Sequence, residues 1–197
     1  MRIAIIAVAV VAAGWVHAGQ AQEIEQCRDA YDKERWADAL MMCKPLAEKG
    51  DAEAQYHLGW MYSNGQGVMQ DYKATARLWG LAAKQSYPDA QSFLALMYLS
   101  GRGVPQDYNE AARLLELAAK QGFPDAQFNL GAMFDAGQGV PLDYVKAHMW
   151  LNVAATNGRH YAASNRETVA SKMTREQLAD AQERARKCLA SNYLLCD

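Results

Sequence analysis

The stretch AQYHLGWMYSNGQGVMQDY, residues 54–72, decides the fold because two closely similar stretches follow it along the chain. They read AQSFLALMYLSGRGVPQDY at 90–108 and AQFNLGAMFDAGQGVPLDY at 126–144, and all three align without gaps. The period is 36 residues, and the similarity continues through RLWGLAAKQSYPDA, RLLELAAKQGFPDA and the weaker MWLNVAATNGRHYA. A fixed period of this length is typical of solenoid proteins, in which each repeat is one supersecondary unit.

Each repeat is predicted to form two helices. In the first helix of the first repeat, apolar residues recur at i, i+4, i+7 and i+8, the stripe of an amphipathic helix: Ala54, Leu58, Met61 and Tyr62. An aspartate precedes each first helix, where its carboxylate is expected to cap free N–H groups: Asp51, Asp89 and Asp125. The apolar side of the second helix is marked by Tyr72, Thr75, Leu78, Trp79 and Ala82.

A Gly-x-Gly sequence lies between the two helices of every repeat, and such a sequence can also cradle a phosphate. Its first glycine suits the left-handed residue that often ends a helix, at Gly65, Gly101 and Gly137. An aspartate then stands where it can cap the second helix, at Asp71, Asp107 and Asp143. A dinucleotide-binding loop follows a strand and needs a third glycine. Here a helix comes first, and the third-glycine position holds Gln70, Gln106 and Leu142, so we interpret the segment as a joint.

Together these patterns resemble the Sel1-like repeat. The shared pattern is AQ-x-x-LG-x-MY-x-x-G-x-GV-x-x-DY-x-x-A followed by AA-x-x-G-x-x-x-A; it covers residues 51–158 and departs at Arg159-His160. The resemblance implies an all-α fold, a right-handed α-solenoid of tetratricopeptide-like helical hairpins that acts as a scaffold for protein–protein contact. It implies no catalytic residues. The expected segments are repeats at 51–86, 87–122 and 123–158, between helical caps at 22–50 and 159–197.

The first 21 residues, MRIAIIAVAVVAAGWVHAGQA, have the order of a secretory signal peptide: one arginine, an apolar run, then small residues. Cleavage is expected after Ala18 or Ala21, with Ala21 preferred, and an uncleaved anchor is the alternative. We therefore expect an exported protein with no membrane anchor after cleavage; in a bacterial cell this means the periplasm, or secretion beyond it. A formal net charge of −2 argues against a nucleic-acid-binding protein, which usually has a strongly basic patch.

Four cysteines in an exported chain predict disulfide bonds, although four cysteines allow three connectivities. Residues 23–50 resemble a helical hairpin that turns near Arg35, with Cys27 and Cys43 eight residues before and after the turn. We favour a bond between these two and a second bond between Cys188 and Cys196; buried free thiols are the alternative. In the C-terminal cap, Thr174 and Gln177 have capping-box spacing and predict the start of a helix.

The sequence offers little for catalysis. It contains no GxSxG, P-loop or HExxH motif, and His57, His148 and His160 have no convincing metal-ligand spacing. His57 is interpreted as a helix-surface residue. Some disulfide-bridged Sel1-like proteins carry a β-lactamase label, yet S-x-x-K and K-T-G do not occur here. We predict no catalytic residue, no metal and no cofactor. The first alternative is a β-lactamase-like or cell-wall hydrolase, and the second is a secreted host-directed binding factor.

Binding is expected on the first helices, which generally line the concave side of stacked helical pairs. Specificity should come from positions that vary between the copies. The candidate residues for contact with a protein or peptide are Tyr56, His57, Trp60, Phe93, Leu96 and Asn129. Trp60 and Phe93 are the expected aromatic anchors, because aromatic residues are enriched at binding hot spots. Packing of both side chains between repeats is the competing interpretation.

Overall fold

The computed structural model describes residues 21–196, and every regular element in that range is an α-helix. Helix α1 covers residues 21–32. The remaining helices are α2 (Trp36–Glu48), α3 (Ala52–Asn64), α4 (Tyr72–Lys84), α5 (Pro88–Ser100), α6 (Tyr108–Ala119), α7 (Pro124–Ala136), α8 (Tyr144–Thr156), α9 (Ala162–Ala170) and α10 (Arg175–Ala190). Of the predicted signal peptide, all but Ala21 lies outside the described residues. The chain divides into two compact units, the first ending at Leu81 and the second beginning at Ala82.

The first unit builds one apolar core from α1, α2, α3 and the first part of α4. The core includes Cys27, Cys43, Met61 and Leu78, all of them buried. The predicted turn near Arg35 is confirmed, because its backbone N–H donates to a carbonyl of α1 at 2.9 Å and α2 begins at the next residue. The two cap helices therefore pack directly against the first repeat.

The second unit contains α5 to α10, and its C-terminal part differs from the prediction. Sequence reasoning expected one helix after the repeats, whereas the structure has two, because α9 precedes α10. Ala162 and Val169 of α9 are buried in a core cluster with Ala147 and Leu151 of α8. The capping box at the start of α10 is confirmed, with hydrogen bonds in both directions between the capping threonine and the glutamine three residues on.

The Gly-x-Gly segments are joints, as predicted. The first glycine ends the first helix of each repeat in a left-handed conformation, with φ of 70°, 68° and 63° at Gly65, Gly101 and Gly137. Asp71 then accepts hydrogen bonds from two backbone N–H groups of α4, at 2.8 and 3.0 Å. Asp107 caps α6 through two backbone N–H groups as well, and Asp143 caps α8 through one. The glycines therefore serve the turn between two helices.

The predicted caps of the first helices are right only in the first repeat. Asp51 accepts a hydrogen bond from the backbone N–H of Ala54 at 2.8 Å. Helices α5 and α7 instead begin with a proline, so that Asp89 and Asp125 lie inside the first turn and are not the N-cap residues. Proline suits the first helical position, because its φ is already helical and its missing N–H would have had no helical partner.

One disulfide bond lies near each end of the described chain, in the pairing that the sequence favoured. Cys27–Cys43 joins α1 to α2, and both cysteines are fully buried. Cys188–Cys196 joins the last turn of α10 to the segment that follows it. Between residues 21 and 196 no cysteine is free. The Cys27–Cys43 bond spans a sequence separation of 16. Closing a loop of that length stabilises a fold by about 3 kcal/mol, mainly by restricting the unfolded chain.

A glutamine is buried at the same position of every repeat and was not singled out by sequence reasoning. The Nε2 groups of Gln55, Gln91 and Gln127 each donate to a backbone carbonyl eight residues earlier, at 3.1, 3.2 and 3.1 Å. In the second unit, Oε1 of Gln91 accepts a hydrogen bond from Gln121 and Oε1 of Gln127 accepts one from Asn157, both at 2.8 Å. Because an unpartnered buried amide destabilises a fold, these bonds fix each first helix against the helix before it.

Candidate binding surface

Helix α3 presents two partly exposed aromatic side chains, Tyr56 and Trp60, on a base formed by Trp79 of α4. Trp79 is only 4% exposed, and its Nε1 donates to the backbone oxygen of Tyr56 at 3.2 Å. The Trp60 ring meets the Trp79 ring edge-to-face, with centroids 5.6 Å apart. Gly59 makes this approach possible, because a Cβ atom there would lie 2.5 Å from Nε1 of Trp79. We call Tyr56 and Trp60 the aromatic surface.

His57 is buried, so the interpretation of this histidine as a helix-surface residue is wrong. Only 7% of it is exposed, and its ring centroid lies 4.5 Å from that of Tyr31 and 5.4 Å from that of Tyr56. Burial lowers the pKa of the imidazole, and the nearby Glu53 carboxylate only partly opposes this effect. The physical reason for the burial is the cap hairpin, whose Tyr31 covers this side of α3.

An ion pair joins the cap hairpin to the first repeat beside this histidine. Arg28 of α1 holds Glu53 of α3 through two hydrogen bonds, the longer of them 2.8 Å. The Arg28 guanidinium accordingly lowers the pKa of the Glu53 carboxyl. The Glu53 carboxylate lies 3.5 Å from Nε2 of His57, at the limit of a hydrogen bond. Tyr56 of the aromatic surface therefore packs against a buried, largely neutral imidazole, and a paired carboxylate lies next to that imidazole.

The other three candidate residues lie in the second unit. Phe93 and Asn129 are partly exposed, and Leu96 is 37% exposed on α5. Leu96 occupies the repeat position of Trp60, and Phe93 and Asn129 occupy that of His57. The same helix positions therefore carry different side chains in the three repeats.

A second aromatic group in this unit was missed by sequence reasoning. Phe128 of α7 meets Tyr161 edge-to-face at 4.8 Å between centroids, and Tyr161 is 50% exposed. The Arg159 guanidinium lies over the Tyr161 ring at 5.1 Å and also pairs with Asp125. The signal that could have found the group is the departure of the third repeat at residues 159 and 160, where the other copies have an aromatic residue and proline.

Within residues 21–196 no three side chains of His, Cys, Asp or Glu are grouped so that they could hold a metal ion. Among the helices described, none combines the length and the apolar character that crossing a membrane requires.

The repeats also identify the family of the chain. The family model described as Sel1 repeat matches at residues 52–87, 88–123 and 124–158, which make up more than half of the sequence. The chain belongs to the Sel1 repeat family. The predicted fold class, an all-helical α-solenoid of Sel1-like hairpins, is confirmed by this match and by the absence of strands from the described residues.

Two crystal structures show the same relationship. The Sel1 repeat protein from Oxalobacter formigenes is 38% identical with a TM-score of 0.61, and the match covers 66% of this chain and 97% of that one. A protective antigen present in uropathogenic Escherichia coli strains, which displays an SLR fold, is 26% identical with a TM-score of 0.62. That match covers 89% of this chain but only 48% of the antigen. A comparison with curated protein sequences gave no match.

Proposed function

We propose that this Sel1 repeat protein is an exported scaffold that binds a protein or peptide through the aromatic surface of α3. Proteins of the family generally mediate protein–protein interaction. The observation that carries the proposal is the exposure of Tyr56 and Trp60 on a buried, hydrogen-bonded Trp79. Rings held this firmly lose little conformational entropy on binding, and aromatic residues are enriched at the centres of protein interfaces.

The second unit carries the other three predicted contact residues. Leu96 and Phe93 of α5 supply apolar area, and Asn129 of α7 supplies an amide that can both donate and accept hydrogen bonds. We assign His57 a supporting role, since it is buried beneath Tyr56.

Export is the second part of the proposal. The two disulfide bonds support it, because such bonds persist mainly in the periplasm, in other oxidising compartments and outside cells. We therefore propose the periplasm or the extracellular space as the site of action. The two alternatives, a hydrolase and a host-directed binding factor, gain no support from the family match or from the similar structures.

Site-specific photocrosslinking in the native cell tests the surface. A photoreactive amino acid at Tyr56 or Trp60 should give adducts with one and the same protein. The matched control is Leu117 of α6, which is 41% exposed on a second helix and should not give that adduct. Trp60→Ala should weaken capture by about 30-fold or more, as truncation at a hot spot does, while circular dichroism shows unchanged helicity.

Two outcomes would contradict the proposal. Equal crosslinking from all three positions would show that the aromatic surface has no special role. Unchanged capture by the Trp60→Ala variant would remove this residue from the interface. Hydrolysis of the chromogenic cephalosporin nitrocefin by the purified protein would instead favour the hydrolase.

A further inference from the structure

A cavity of about 400 Å³ with both apolar and polar lining groups lies between α8, α9 and α10 of the second unit. Side chains from all three helices line it: His148 and Asn152 of α8, Arg166 of α9, and Gln182 and Arg186 of α10. This volume is in the range of small-molecule binding sites. The cavity is built by the third repeat together with the C-terminal helices and involves none of the residues of the aromatic surface.

His148 is the first reason to regard this cavity as a binding site. The residue is only 3% exposed, and its Nδ1 has no hydrogen-bond partner among the described residues. The other two repeats have alanine at this position, Ala76 and Ala112, and both are buried there. An imidazole that replaces a small apolar residue and remains unpartnered lowers stability, so the fold alone does not account for it.

Arg166 is the second reason. One of its terminal nitrogens donates to Oδ1 of Asn152 at 2.7 Å, and in the part of the chain that is described it forms no ion pair with a carboxylate. The other N–H groups of the guanidinium are available to a ligand. A guanidinium presents its donors in a planar fork that matches the two oxygens of a carboxylate.

The charges and apolar groups around the cavity restrict the class of ligand. Arg186 is already paired with Glu183. This leaves Arg166 as the lining arginine without a carboxylate partner among the described residues, beside the negative charge of Glu167. Burial and the Arg166 guanidinium lower the pKa of His148, so the ring is neutral at pH 7 and offers one N–H donor. A single carboxylate matches this balance better than a dianionic phosphate. Leu178 supplies an apolar wall for the body of the ligand.

We propose that this cavity binds a small ligand through a single carboxylate, with Arg166 as the charged contact and His148 and Asn152 as hydrogen-bonding groups. The site is independent of the protein-binding surface proposed above. A ligand the size of an acylated amino acid suits its volume, with the acyl or side-chain carbons against Leu178.

An NMR titration of the full mature protein tests this site. The probe is N-acetylleucine, and its matched control is N-acetylleucinamide, which has the same shape without the charge. We expect a saturable shift of the His148 imidazole signals with the acid and none with the amide. Arg166→Gln should weaken binding by about tenfold or more, because a charge-assisted hydrogen bond is lost. Arg113→Gln, which alters an exposed arginine paired with Glu110 on α6, should change nothing.

A second variant separates ligand binding from folding. His148→Ala restores the residue of the other two repeats, so the helix content and the midpoint of thermal unfolding should be retained while the acid binds more weakly. No saturable shift with the acid, or an equal shift with the amide, would overturn the proposal. Tighter binding of inorganic phosphate than of the acid would overturn the assignment to a carboxylate.

Discussion

The first and third repeats share one scaffold and carry different side chains on it. Both have a left-handed glycine after the first helix and an aspartate cap before the second. One difference lies at a close contact: Gly59 faces the Trp79 ring, whereas Gly131 faces Leu151. The positions that fix the backbone are therefore separate from those that determine what the surface presents. Binding chemistry can change between repeats while the hairpin stays the same.

The contact at Gly59 gives the largest expected effect. Gly59→Ala places a methyl group 2.5 Å from the Trp79 ring, which must then move and give up its hydrogen bond to Tyr56. The gain in helix propensity, about 1 kcal/mol, is smaller than the cost of overpacking and of the lost bond. We expect a net loss of about 1–2 kcal/mol in urea unfolding followed by circular dichroism.

Gly131→Ala is the matched variant in the third repeat. The second repeat already has a buried alanine at this position, Ala95, and a buried leucine, Leu115, at the position of Leu151. A Cβ atom at Gly131 would lie 2.9 Å from Cγ of Leu151 and 3.2 Å from the Ala147 carbonyl oxygen, so these neighbours must move slightly. Because the second repeat accommodates the same alanine–leucine pair and alanine favours a helix, we expect a loss of less than about 1 kcal/mol, smaller than at Gly59. Equal losses at both glycines would show that the tryptophan does not set the first repeat apart.

The buried histidine of the first repeat gives a smaller, pH-dependent effect. Because burial lowers the pKa of folded His57 below its ordinary value, the unfolded chain takes up a proton first. This contribution to stability is complete above the ordinary histidine pKa of about 6.5 and is lost as the pH falls below it. His57→Phe, which introduces the residue of the second repeat, should reduce the acid-side slope of unfolding free energy against pH.

The slope should fall without vanishing, because burial and Arg166 also lower the pKa of His148. Asn129 at the same position of the third repeat cannot titrate in this range, so Asn129→Ala is the control and should leave the slope unchanged. An unchanged slope in His57→Phe would contradict the burial of a neutral imidazole.

The smallest expected effect is at the joints. Gln70 donates to the backbone oxygen of Ser63 at 2.7 Å and to the Tyr72 hydroxyl at 2.9 Å, whereas the third repeat has Leu142 at this position. Gln70→Leu should destabilise the first joint by about 0.5–1 kcal/mol, the net value of an exposed hydrogen bond. Hydrogen exchange at the Asp71 amide, which bonds to the Tyr62 carbonyl at 3.0 Å, measures this directly.

The reverse substitution completes this comparison. Leu142→Gln should slow exchange at the Asp143 amide, which bonds to the Phe134 carbonyl at 3.1 Å, if the added amide reaches the same kind of acceptor. Faster exchange there would show that the glutamine depends on the side chains of its own repeat.

The features that the sequence predicts correctly are those set by local chemistry. Helix-ending glycines, aspartate caps and the hairpin around Arg35 depend on neighbours a few residues away. The errors arise where a distant residue or a competing local signal decides. Tyr31 buries His57 from another helix, and prolines start α5 and α7 one residue ahead of the expected aspartates. Tyr161 and α9 lie where the repeat pattern has already ended.

The buried glutamines have a consequence for how such a chain can change in length. Gln91 and Gln127 each hold a carbonyl eight residues earlier and accept a hydrogen bond from an amide 30 residues later. Inserting one residue between these partners would shift a helix face and leave polar groups buried without partners. Inserting a complete 36-residue unit preserves these spacings, because neighbouring units supply equivalent partners for each glutamine. Length variants of this scaffold should therefore differ by whole hairpins.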